Sequence, residues 1–505
     1  MTHNLYATFR ARFPHDRGSA LLIDAEGRTL SYADTEAAVA RLSGALVQLG
    51  LRPGDRVSVQ VEKSPELLIL YLACLAGGFV FHPINPAYLE GELSYLLGDA
   101  EPALAVIRPE MAERIAPVAR AAGVRTLLTL GDAGDGTLLE AAATAPAIDD
   151  VCPCGVDDLA ALLYSSGTTG KPKGAMLTHG NLASNAAALV RAWEFSSSDR
   201  LLHALPLFHA HGLFVGISCS LYAGASMRFL PRFDIASVLR FLPEATVFMG
   251  VPTYYTRLLA EPGFSASACA HLRLFVSGSA PLLPETFHRV REVTGHTVLE
   301  RYGMTETLMN SSNPLRGERV AGSVGLPLPD IALRIADAKD HALPDEEIGE
   351  IQVKGPNTCR GYWRNAAKTG EAFAAGGWFR TGDLGRRDAR GYYFIIGRAK
   401  DLIITGGLNV YPKEVEECID ALDGVAESAV VGVPDADFGE ALAAMVVRRA
   451  AAGTPDEAAV IRHVKERLAN FKVPKRVRFL PALPRNAMGK VEKAELRRLL
   501  AGEER

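Results

Sequence analysis

The chain reads as an α/β protein: a large N-terminal domain of mainly parallel sheets, followed by a small α+β domain. Three observations carry this reading. Helix-period and strand-period segments alternate from Ser31 onward, as chains that build parallel sheets do. Short apolar strands repeatedly run into glycine-rich or polar loops, the places where open α/β sheets hold ligands. A fresh α/β pattern then begins beyond a charged, glycine-bounded stretch from Gly397 to Thr405. The 505 residues are ample for this, since at about 150 residues per domain they allow roughly three domains.

Ser31 can cap a helix in which Val39, Leu42, Leu46 and Leu49 recur at helical spacing before Gly50 ends it. Pro53-Gly54-Asp55 is a turn, after which Val57, Val59 and Val61 alternate at strand period. Leu67 to Phe81 is apolar but is broken by Gly77-Gly78 and stops at His82-Pro83. It falls short of the ~20 residues of a membrane span and predicts a buried helix running into a strand. Helices over 89–97 and 112–122 then alternate with strands over 103–107 and 126–130. Further on, strands over 247–249, 272–276 and 297–300 are separated by helices over 253–260 and 284–294. They end at Gly250-Val251-Pro252, Ser277-Gly278-Ser279-Ala280-Pro281 and Arg301-Tyr302-Gly303. As parallel neighbours these strands would open all three loops at one sheet edge. In the C-terminal part, helices are expected over 412–422 and 457–468, with strands over 428–431, 443–447 and 477–480.

A formal net charge of −4 leaves no basic surplus to hold a nucleic-acid backbone. The seven cysteines are scattered, with no C-x2-C pair, which predicts a reduced, cytoplasmic chain without a zinc site. Met1-Thr2-His3-Asn4 has no secretory apolar core, and no membrane partner is expected.

The most informative segment is Tyr164-Ser-Ser-Gly-Thr-Thr-Gly-Lys-Pro-Lys-Gly174. Its glycines let backbone N–H groups turn toward an anion while Lys171 and Lys173 neutralise charge, which suits a polyphosphate. It is not a Walker loop, because Pro172 follows Gly170-Lys171 where a Ser or Thr would hold magnesium. The segment resembles the phosphate-binding loop of the adenylate-forming superfamily of acyl-CoA synthetases, luciferases and peptide-synthetase adenylation domains. Further pieces fit in the same order: Arg301-Tyr-Gly-Met-Thr-Glu-Thr307, Trp378-Phe-Arg-Thr-Gly-Asp383, Gly397-Arg-Ala-Lys-Asp401 and Pro484-Arg-Asn-Ala-Met-Gly-Lys490.

That resemblance implies ATP, Mg²⁺ and coenzyme A, and assigns roles. Thr168, Thr169, Gly170, Lys171 and Lys173 would cradle phosphates. Ser277, Gly278, Ser279, Ala280, Pro281 and Tyr302 would form the adenine pocket. Thr305 would hold the α-phosphate, Glu306 with Thr168 the magnesium, Asp383 the ribose hydroxyls and Arg398 the ribose and phosphates. Lys490 would offset charge as a carboxylate attacks the α-phosphorus. It would also be a target for a protein lysine acetyltransferase. The domains implied are 1–398 and a mobile lid over 399–505 hinged at Lys400, whose turning brings Gly407 to the pantetheine tunnel.

The acid is suggested by Arg301, since a guanidinium in an acyl pocket calls for a carboxylate. With Leu205-Pro-Leu-Phe-His209-Ala-His211-Gly212, the segment Glu300 to Thr307 resembles the malonyl-CoA synthetases. This implies malonate as substrate, with His209 as the gate and catalytic aromatic position and with His211, Ser277, Arg301 and Met304 around the acid. The alternatives are an Arg301 paired with Glu300 or another acid, a His211 that is a satisfied core residue, a methylmalonate or short-chain monocarboxylate ligase, and a nucleotide-binding regulator without turnover.

Overall fold

The computed structural model describes residues 2–165, 172–405, 408–435, 438–449, 454–486 and 489–501. Packing divides the chain into two compact units, Met1–Leu333 with Val353–Phe379 and Arg334–Gln352 with Arg380–Arg505.

The first unit holds two large sheets. One has six strands in the order Thr126–Thr129, Leu104–Ile107, Arg56–Gln60, Val80–Pro83, Leu159–Ser165, Lys173–Thr178. Its neighbours are parallel except for the last pair. The strands Leu104–Ile107 and Val80–Pro83 are buried at every position, as expected for a sheet covered on both faces. The helix Tyr32–Gln48 starts where its sequence predicts: Ser31 and Asp34 close a capping box, and Gly50 at φ +82° follows its end. The helix Pro65–Ala76 is buried from Leu67 onward and leads to Val80–Pro83. Among the described residues no helix is long and apolar enough to cross a membrane.

The second sheet runs Leu326–Pro327, Leu308–Ser312, Leu299–Met304, Leu274–Ser277, Val247–Gly250, Arg200–His203, Ser226–Phe229, Ala20–Asp24, Thr29–Ser31. From Leu299–Met304 to Ala20–Asp24 all pairings are parallel, so the three motif strands are the neighbours their sequence implies. The last of them differs in its end. It continues through Arg301 to Met304 and returns antiparallel as Leu308–Ser312, with Tyr302 opposite Ser311. Gly303 makes this hairpin possible, because a Cβ there would stand 2.0 Å from the carbonyl oxygen of Leu308.

In the second unit, Asp383 faces Arg398 across an antiparallel pair, and a 3-10 turn over Ala399–Asp401 follows. Beyond it, Val425–Asp435 pairs antiparallel with Gly439–Arg448, which is parallel to Arg476–Leu480. The helices Pro412–Asp420 and Glu457–Lys465 bury Val415, Ile419, Val460 and Val464 on one face of this sheet. The helix Lys493–Ala501, not anticipated from sequence, buries Leu496 with Val431 and Met445 of the other face. The packing division falls earlier than the expected 398/399 boundary. Residues 380–398 form strands that hydrogen-bond within this unit: Thr381 Oγ1 donates to the Ile351 carbonyl at 2.6 Å and Lys413 Nζ to that of Ile395 at 2.7 Å.

Candidate active site

The glycine-rich segment is anchored at both ends by an antiparallel ladder that sets Tyr164 opposite Gly174 and Ser165 opposite Lys173. Thr168, Thr169, Gly170 and Lys171 lie outside the described residues, as does Gly407. Ser165 Oγ donates to Glu306 Oε1 at 2.8 Å, and the Tyr362 hydroxyl donates to the same oxygen at 3.1 Å. Burial and the Glu306 charge push the Tyr362 phenol well up, so it stays a donor. Lys173 Nζ lies 4.8 Å from the centroid of the Tyr362 ring, a cation–π distance. Glu306 is buried and Thr305 half-buried in the turn of the hairpin. The turn is braced from below: Asn357 Nδ2 donates to the Thr307 carbonyl at 2.5 Å and Asn310 Nδ2 to Thr307 Oγ1 at 2.7 Å. Among the described residues no group of three or more His, Cys, Asp or Glu side chains could hold a metal. A lone carboxylate still fits magnesium, which commonly takes one protein carboxylate together with substrate phosphates and water.

Arg301 lies at the next site along the same strand and is 3% exposed. Glu300 and Arg301 are consecutive on the strand, so they leave opposite faces of the sheet. Glu300 Oε1 accepts from the Leu282 N–H at 3.1 Å. Among the described residues Arg301 has no ion pair, and its Nε and Nη2 are buried without a hydrogen-bond partner. The guanidinium lies against the neighbouring loop, for a Cβ on Gly278 would stand 2.5 Å from Arg301 Cζ. Burial pushes Arg301 down to about 9, which leaves it a cation at neutral pH. Burial and that cation hold the His211 imidazole well below its usual range, so His211 is neutral. Its Nδ1 is 3.2 Å from Ser279 Oγ, while its Nε2 and the Ser277 Oγ are also buried without partners among the described residues. Such orphaned atoms are costly unless something supplies the missing bonds. Ser279 itself holds φ +72°, a strained conformation for serine that collects at ligand loops. His209 is half-buried and accepts from the His211 N–H at 3.3 Å. Met304 and Ala280 are half-buried, Pro281 is exposed, and Tyr302 is 6% exposed.

In the second unit, Arg398 Nε is 2.6 Å from Asp383 Oδ1, and Asp383 is 3% exposed. Lys400 is exposed within the 3-10 turn. Lys490, also exposed, closes a tight bend: its N–H donates to Asn486 Oδ1 at 3.0 Å and its carbonyl accepts from the Asn486 N–H at 2.9 Å. Gly489 takes φ +73° in that bend. The Lys493–Glu416 pair at 2.7 Å and the Arg485–Glu427 pair hold it to the rest of the unit.

Two family models match the chain, that of the AMP-binding enzyme over residues 9–363 and that of the AMP-binding enzyme C-terminal domain over 414–490. The chain belongs to the AMP-binding enzyme family. The crystal structure of ATP-bound MatB from Rhodopseudomonas palustris superimposes with a TM-score of 0.96 at 51% identity, covering 99% of each chain. A malonate–CoA ligase of Arabidopsis thaliana is 35% identical over 99% of this chain and 90% of its own length. A feruloyl-CoA synthase from Amycolatopsis is 37% identical over 94% of both. Overall identity to members of the AMP-binding family therefore does not by itself select the acid.

For this AMP-binding enzyme the sequence expected His211, Ser277 and Arg301 around the acid and Ser279 in the adenine pocket, whereas Ser279 Oγ lies 3.2 Å from His211 Nδ1. It missed Tyr362 as a partner of Glu306. The one local signal was Gly361, whose φ of +132° marks a special turn immediately before it. It also missed Lys63 and His203, which lie 140 positions apart in the chain.

Proposed function

We propose that this enzyme is an AMP-forming malonate:CoA ligase, and the observation that carries the proposal is the buried guanidinium of Arg301, which has no ion pair among the described residues. Malonate offers two carboxylates. One attacks the α-phosphorus of ATP, forming the acyl–phosphate bond as pyrophosphate leaves. The other stays charged throughout and supplies acceptors for the orphaned Arg301 Nε and Nη2. Ser277 Oγ adds a donor. With Ser279 Oγ donating to His211 Nδ1, the neutral imidazole presents Nε2–H to the same anion. The CoA thiolate then attacks the acyl carbon, the thioester forms and AMP leaves.

Glu306, fixed by Ser165 and Tyr362, is the residue that would hold magnesium, which when bound neutralises phosphate charge. We assign Lys173 to the phosphates and, in the second unit, Asp383 to the ribose hydroxyls with Arg398 beside it. Lys490 is assigned to the adenylation step alone. Its exposure also suits modification by a lysine acetyltransferase, detectable as an acetylated Lys490 peptide by mass spectrometry. Pyrophosphate release across malonate, methylmalonate, acetate and succinate tests the assignment. Malonate should lead, with methylmalonate nearest because one methyl changes binding by only ~1–3 kcal/mol. Acetate turnover equal to that of malonate would sink it.

A further inference from the structure

A buried polar chain lies behind His211, and the reaction above makes no use of it. Lys63 sits between the strand Arg56–Gln60 and the helix Pro65–Ala76 and is 8% exposed. Its Nζ is 2.7 Å from His203 Nδ1 and donates to the His203 carbonyl at 2.8 Å, with the Phe229 ring centroid 4.2 Å away. His203 is 1% exposed and ends the strand Arg200–His203. Its Nε2 is 3.0 Å from the carbonyl oxygen of Gly212. A carbonyl can only accept, so Nε2 carries the proton and Nδ1 is the lone-pair acceptor that Lys63 meets. Burial holds His203 well below its ordinary range, so the ring is neutral, and lowers Lys63 too, whose amine can donate to Nδ1 whether charged or neutral.

Gly212 is the second residue of a π-helical segment, His211–Ile217. Such turns are rare and collect at functional sites. The segment is pressed onto this chain of contacts, for a Cβ on Gly216 would stand 2.9 Å from His203 Nε2 and one on Gly212 2.0 Å from the Pro206 carbonyl oxygen. We propose that Lys63 is a positioning residue for recognition of the acid. By fixing His203 as a donor to Gly212 it holds the first π turn, and with it the orientation of His211 beside Arg301. Without Lys63, Nδ1 is left as a buried acceptor with no donor. The ring then loses the donor that fixes its plane, and its Nε2–H bond to the Gly212 carbonyl no longer holds the turn in one place.

This inference rests on the malonate assignment. Lys63→Met should lower kcat/KM for malonate roughly tenfold, mainly through KM, while kcat/KM for acetate and KM for ATP hold. In a His211→Ala background the same substitution should add nothing. Equal losses for malonate and acetate, an unchanged malonate KM, or effects that multiply in the double variant would each overturn it. Should Lys63→Met fail to fold, ¹⁵N NMR of the unsubstituted enzyme decides: an Nε2–H tautomer at His203 is expected, and an Nδ1–H tautomer overturns the proposal. If Arg301→Leu leaves the malonate-to-acetate ratio unchanged, the malonate assignment itself has failed. If Arg301→Leu shifts that ratio and Lys63→Met does not, only the positioning role is lost.

Discussion

Replacing Arg301 with leucine separates recognition of the acid from everything else the enzyme does. Arg301 is 3% exposed, buries two nitrogens, Nε and Nη2, with no partner among the described residues, and is pushed down to about 9 by burial. A carboxylate brought to it gains an ion pair out of water, and removing one partner of such a pair costs ~3–5 kcal/mol. At about 1.36 kcal/mol per tenfold change, kcat/KM for malonate should fall by roughly 10²- to 10⁴-fold. Acetate has no distal carboxylate, so its kcat/KM should hold or rise. The assay is pyrophosphate release at saturating ATP and CoA with each acid in turn. The free enzyme should also melt higher after the substitution, because an unpaired buried charge has been removed. A parallel fall for malonate and acetate would refute the reasoning, since it would mean that Arg301 serves the adenylate or the scaffold.

Lys490→Ala should nearly abolish malonyl-AMP formation, read by ATP–pyrophosphate exchange, and spare thioester formation from supplied malonyl-AMP; comparable losses in both would make the lysine structural. Lys400→Pro should do the reverse, losing thioester transfer and keeping adenylation. The residue sits at the second position of a turn closed by the Leu402 N–H to the Ala399 carbonyl at 3.3 Å, where proline fits but freezes φ. Equal retention of both half-reactions would move the hinge elsewhere. In the second unit, burial raises the Asp420 carboxyl to about 7, so the folded state holds that proton more tightly than the unfolded chain. Stability from this group therefore falls as pH rises from about 4 to about 7, and Asp420→Asn should flatten that slope in urea titrations across the range. An unchanged slope would show that the carboxyl titrates normally.

The most legible elements were those whose signals are local. Ser31, Asp34 and Gly50 bound one helix by capping chemistry, and the buried helix Pro65–Ala76 announces itself by unbroken apolarity. The hairpin around Glu306 was less legible: its return strand, Leu308–Ser312, carries Asn310, Ser311 and Ser312, all buried, and polar residues at buried positions erase the strand pattern. The helix Lys493–Ala501 was missed because its apolar face is narrow, with Leu496 and Leu500 packed in the core among charged neighbours. In the site, Arg301 stood out by its chemistry alone, since a cation inside an acyl pocket demands an anion. Tyr362 and Lys63 did not, because a tyrosine and a lysine acquire meaning only from partners far away in the chain: 56 positions separate Tyr362 from Glu306 and 140 separate Lys63 from His203.

The chain enters the second unit at Arg334, leaves it after Gln352 and enters it again at Arg380. The returning stretch carries Asn357 and Tyr362, which brace and ligate the Glu306 turn. Recombination between relatives at a single crossover therefore cannot transplant the second unit whole. A crossover after Arg398 would leave residues 334–352 and 380–398 from one parent to fold with a C-terminal segment from the other. Exchange at two seams, around 334–352 and at 380, keeps each packing unit with its own lineage and leaves the Glu306 turn undisturbed.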